Sequence, residues 1–132
     1  MEIRLTEAGK GEYRKKGADT WTPFKSDTII PLLQLQPEKN QTADADIVLD
    51  TIDKNNLHID SFSSWYDNAS ITITSNDVEL FFKYHKTGGS NRVDTTDIGD
   101  IDVSQYNEVH VILSVVSINA KGWGKLNNII VS

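Results

Sequence analysis

The sequence predicts an all-β fold, an antiparallel β-sandwich. Apolar residues alternate with polar ones at a period of two, the alternating runs are rich in β-branched residues, and Asn, Asp, Gly and Ser break them at short intervals. No apolar stripe at helical spacing runs through the 132 residues. Short strands punctuated in this way are the pattern of a sandwich.

The elements follow in chain order. "EYRKKGADTWTPF", residues 12–24, sets Tyr13 and Trp21 on either side of a Gly-Ala-Asp turn and predicts an N-terminal β-hairpin. In "IIPLLQLQP", Pro31 and Pro37 bracket the run and favour an extended edge strand over a helix. "PEKNQTADAD" reads as a linker, which divides the chain into a hairpin-and-edge-strand appendage, residues 1–36, and a sandwich domain, residues 37–132. The first part holds too little apolar mass for a core of its own. Within the sandwich, strands are expected near 46–52, 56–62, 69–75, 77–86, 108–118 and 126–131. "ASITITS" alternates Ile71 and Ile73 with threonines, and "DVELFFKYHK" places Val78, Leu80, Phe82 and Tyr84 on one face. Glu79, Lys83 and His85 fall on the other face, with Phe81 the exception. The break Ser75-Asn76-Asp77 joins the two runs as an antiparallel hairpin. "EVHVILSVVSIN" turns Val109, Val111, Leu113 and Val115 inward, and Ile112 and Val116 make its second face partly apolar, as in a central strand. The inner faces are therefore expected to hold Ile71, Ile73, Leu80, Phe82, Val109, Val111 and Leu113.

Composition narrows the function classes. Hydrophobic residues at 38% and charged residues at 24% suit one globular domain, and no apolar run approaches the ~18 residues of a membrane span. The opening "MEIRLTEAGK" lacks the apolar segment of a signal peptide. Without cysteine there is no disulfide framework or thiol nucleophile, which fits a reducing compartment and equally a bacterial or viral surface protein. A net charge of −6 argues against a nucleic-acid partner. The basic cluster Arg14, Lys15, Lys16 and Lys25 reads as the solvated surface of the hairpin.

Candidate chemistry is sparse. His58, His85 and His110 fall in three strands, each opposite the main apolar phase and none at ligand-pair spacing, so they read as surface histidines. "DTTDIGDID" supplies Asp94, Asp97, Asp100 and Asp102, oxygen ligands suited to calcium but without EF-hand spacing; a solvated acidic loop is the plainer expectation. "KTGGSN" carries no P-loop arrangement and reads as a hairpin tip, and no Gly-x-Ser-x-Gly elbow occurs. The chain is thus expected to be no enzyme and to need no cofactor. Aromatics remain. Trp65, Tyr66 and Trp123 lie in or beside turns, and Asp67 and Asn68 follow in "SSWYDNAS". Aromatic rings stack on the C–H faces of sugars while amides and carboxylates bond the hydroxyls, so Trp65, Tyr66, Asp67, Asn68 and Trp123 are the candidate glycan site. The alternative is that the rings plug the ends of the sandwich as core.

Two stretches resemble a family. "YRKKGADTWTPFKS" is similar to a Lys-Lys-Gly-x-x-x-Trp-x-x-Phe hairpin of minor structural, tail-fibre-like proteins of phages and prophages in Firmicutes and other gut bacteria. "IDVSQYNEVHVIL" followed by "SINAKGWGKLNNIIVS" resembles the last strands of β-sandwich domains in that group, and of galactose-binding-like jelly rolls in which Tyr106 would tuck its ring under the sheet. The resemblance implies a jelly-roll sandwich in a phage or prophage virion, assembled in the bacterial cytoplasm. It would contact other virion or tail proteins through the basic hairpin, and cell-surface carbohydrate through the sandwich. Two alternatives stand beside it: a carbohydrate-binding accessory module of a bacterial surface enzyme, displayed at the cell surface, and a small glycan hydrolase.

Overall fold

A computed structural model of the chain describes residues 28–66, 68–87 and 92–132, together with the backbone of short strands at 2–5, 11–14 and 22–23. Strands β1 (Glu2–Leu5), β2 (Gly11–Arg14) and β3 (Thr22–Pro23) form a small antiparallel sheet in that order. Glu12 pairs with Pro23 and Tyr13 with Thr22, so the expected hairpin is present as β2–β3. The basic side chains and Trp21 lie outside the described residues.

Eight further strands build the sandwich: β4 (Thr28–Leu35), β5 (Thr42–Asp50), β6 (Asn56–Trp65), β7 (Asn68–Ser75), β8 (Val78–Lys86), β9 (Val93–Asp102), β10 (Glu108–Val116) and β11 (Trp123–Val131). They form two antiparallel four-stranded sheets, β5-β10-β7-β8 and β4-β11-β6-β9, which pack face to face. Only β7 and β8 are joined within a sheet; the other consecutive pairs cross between sheets. Asn76 and Asp77 both take positive φ, 46° and 67°, as a two-residue type I′ hairpin turn demands.

The core follows from alternation where alternation is regular. Ile71, Ile73, Val109, Val111 and Leu113 are fully buried as expected, and they meet Leu57, Ile59, Phe62, Leu126 and Ile129 of the opposite sheet. Strand β10 is central, between β5 and β7, and Tyr106 packs against the core just before it. Burying ten such side chains contributes on the order of 20 kcal/mol of gross hydrophobic stabilisation, most of it offset by chain entropy.

Four expectations change. Strand β4 pairs with β11 from Thr28 to Leu35, so the edge strand assigned to the appendage is an edge of the sandwich itself. Its apolar residues complete the sheet rather than belonging to the hairpin: Ile30, Leu33 and Leu35 pack on the core. In β8, Phe82 and Tyr84 are about half exposed, and His85 is buried. The register explains this: Ile73 pairs with Phe81 but Thr74 with Glu79, so Leu80 is an extra, bulged residue. One extra residue inverts the phase of everything after it, which turns Phe81 and His85 inward and Phe82 and Tyr84 outward. "DTTDIGDID" is no loop; it is β9, whose Ile98 and Ile101 pack on the core. Finally, "KTGGSN" is no hairpin tip, because the strands on either side of it, β8 and β9, belong to different sheets.

The β4-β11-β6-β9 sheet carries one more irregularity. Pro31, Asn128, Asp60 and Ile98 are all skipped in the ladder, and together they form a row across the sheet. Asn128 at φ 53° and Gly99 at φ 82° supply the left-handed backbone there. Beyond this row the phase of β6 and β11 reverses, so Phe62 and Ser64 point inward and Ser63 and Trp65 outward.

Candidate functional site

The phase reversal sets the outer face of β6 and β11 at one end of the sandwich. Trp65 pairs directly with Trp123, so the two residues stand opposite each other on neighbouring strands, whose backbones run about 4.8 Å apart. Inward from them, Ser64 pairs with Gly124. A Cβ on Gly124 would lie 2.7 Å from Val115 Cγ2 of the facing sheet, so the glycine permits close approach of the sheets directly beside Trp123. Both tryptophans are half-buried and neither belongs to the core. Tyr66 meets Trp65 edge to face, with centroids 5.2 Å apart. Its φ of 77° is a costly conformation for a bulky residue, on the order of 1–3 kcal/mol, and it is held beside Trp65.

The next row of the same face is polar. Lys125 pairs with Ser63 on one side and Gln34 on the other, and Ser63 pairs with Thr95. The Ser63 and Thr95 hydroxyls are 3.1 Å apart. The Lys125 ammonium lies over the Trp123 ring, 5.0 Å from its centroid. Val93, half exposed, flanks Trp65 on β9.

Of the expected site residues, the structure brings Trp65, Tyr66 and Trp123 together. Asn68 starts β7 in the other sheet, opposite Lys86 and Val116, and Asp67 lies outside the described residues. Lys125, Ser63 and Thr95 were missed. The alternation Trp123-x-Lys125-x-Asn127 in "WGKLNN" marks one polar face, but which strands flank it depends on distant pairing. Phe82 and Tyr84 form a second aromatic pair, this one exposed, on the outer face of the other sheet beside Thr72 and Ser70.

The histidines divide into two kinds. His58, on the outer face, is clamped between carboxylates: Nε2 is 2.6 Å from Asp60 and Nδ1 2.8 Å from Asp100. The bond to Asp60, then that to Asp100, raises its pKa. Asp60 is lowered, first by the Asn128 amide and then by His58; Asp100 is lowered by the Asn56 amide and then by His58. His110 is held likewise by Asp46, at 3.0 Å, and Glu108, at 3.2 Å. His85 corrects the surface reading. It is buried between the sheets, stacked on Phe62 at 4.2 Å, with Ser64 Oγ 3.0 Å from Nδ1 and Thr96 Oγ1 2.8 Å from Nε2. Burial lowers its pKa, against the weaker pull of Asp94.

The four aspartates of β9 do not converge. Asp94 pairs with Arg92, Asp100 with His58, and Asp102 accepts from the Ser104 amide, while Asp97 stands opposite Ser61. Among the described residues no cluster of three or more histidines and carboxylates has the makings of a metal site. A pocket of about 180 Å³ lined by Asp50, Ile52, Asp53 and Lys54 is smaller than the roughly 300 Å³ at which ligand pockets begin. No protein-family model matches the chain, and no curated protein is significantly similar to it.

Proposed function

We propose that this chain is a non-enzymatic glycan-binding module of jelly-roll type, carried in a phage or prophage tail. The observation that carries the binding reading is the register pair Trp65–Trp123 on an outer sheet face, outside the core, with Tyr66 beside it and a hydroxyl-and-amine row next to it. The strand orders support the jelly-roll assignment: two four-stranded sheets, with every connection but β7–β8 crossing between them, are what two interlocked Greek keys produce. The virion setting, and contact with neighbouring tail proteins through the β2–β3 hairpin, rest on the two sequence stretches that resemble tail-fibre-like proteins. An accessory module of a surface enzyme would use the same platform, and gene neighbourhood separates the two.

The test is a glycan array with Trp65→Ala and Trp123→Ala beside the native chain. Stacking with a few hydrogen bonds gives millimolar to micromolar binding, roughly 4–8 kcal/mol. Each variant is expected to lose binding while its Tm stays within a few degrees of native. Binding that survives both substitutions, or a folded native chain that captures no glycan, refutes the reading.

A further inference from the structure

We infer that the tryptophan platform selects glycans in which the stacked sugar ring carries a carboxylate, and that Lys125 reads that single charge. This rests on the glycan-binding reading above. Lys125 is half-buried on the platform, and its ammonium is held against the Trp123 ring. Among the described residues it has no ion-pair partner, although the chain has 19 acidic residues against 13 basic ones. Two other described cations on the sandwich are matched, Lys121 with Glu38 and Arg92 with Asp94. The row of Lys125 contains only Gln34, Ser63 and Thr95, and the row beyond Trp65 contributes Val93. Among the described residues, the acidic positions nearest on this face are Asp60, one strand and three residues away, and Asp97, two strands and one row away. By sheet spacings each is roughly 11–12 Å off, beyond the screening length at physiological salt. A cation held over the Trp123 indole, with no ion-pair partner among the described residues, complements an anion attached to a stacking ring. Polyol-phosphate chains carry the charge but offer no ring face to the indoles, so the carboxylated pyranose is the ligand that uses both features.

Titration calorimetry with three probes decides the matter: oligogalacturonate, its neutral methyl ester and poly(glycerol phosphate). The native chain is expected to prefer the acid over the ester by about tenfold, near 1.4 kcal/mol. Lys125→Gln should abolish that preference, and Trp65→Ala should abolish binding of acid and ester alike. Equal affinity for acid and ester, a preference that survives Lys125→Gln, or stronger binding of the polyol phosphate each overturns the inference while leaving the platform standing. Acid binding that survives Trp65→Ala overturns the platform itself.

Discussion

At His85 burial outweighs charge, and the sign of its effect on stability follows. Its folded pKa lies below the unfolded value of about 6.5, so as pH falls below 6.5 the unfolded chain takes up a proton that the folded chain resists. Stability is therefore lost as pH falls through that window. The urea midpoint is expected to drop on acidification below pH 6.5, and His85→Gln should flatten the drop. His58 works in the opposite sense. Its raised pKa gives stability that is complete below 6.5 and disappears as pH rises through the folded value, with small amplitude because the pair is exposed. Tyr66 separates stability from function at a single position. Asparagine tolerates positive φ better, so Tyr66→Asn should leave Tm unchanged or higher while weakening glycan binding severalfold. A fall in Tm of several degrees would assign Tyr66 to packing. None of these roles was legible in the sequence: His85 reads as outward by simple alternation, and burial alone reveals it.

Strand β8 shows where period-two reasoning stops. Strands β7 and β10 keep strict alternation along their core-facing residues, and their inward residues are readable from "ASITITS" and "EVHVIL" without error. One bulged residue, Leu80, reverses β8, so Phe81→Ala should cost about 1.5–3 kcal/mol in urea unfolding and Phe82→Ala less than about 0.5. The reverse ranking would restore the uninterrupted phase. Strand β9 was illegible for another reason. It is an edge strand with Asp or Thr on both faces, so it shows no alternation, and its charges suit an exposed edge. Strand β11 carries the third test at this scale. Gly124→Ala forces a methyl into Val115 and should destabilise by about 1–3 kcal/mol, and Val115→Ala in the same chain should recover part of the loss.

For the molecule as a whole, the sandwich was legible because alternation and turn residues are local signals, whereas sheet order is not. The pairing of β6 with β11 joins residues 58 to 74 positions apart, and it alone places Trp123, 58 residues on in the chain, opposite Trp65. The separate turns "SSWYDNAS" and "AKGWGKL" gave the residues of the site but not their adjacency, and Asn68 was drawn in by sequence proximity although its strand lies in the other sheet. Two aromatic pairs on opposite outer faces, the half-buried Trp65–Trp123 and the exposed Phe82–Tyr84, make the choice of platform testable in one experiment. The measurement is a two-dimensional ¹H–¹⁵N NMR titration of the native chain with the tightest-binding glycan from the array. The expected result is that the indole N–H signals of Trp65 and Trp123 and the amides of Ser63, Thr95 and Lys125 shift together to saturation, while those of Thr72, Phe82 and Tyr84 stay in place. Shifts confined to the Phe82–Tyr84 face, with both indoles unmoved, would contradict it.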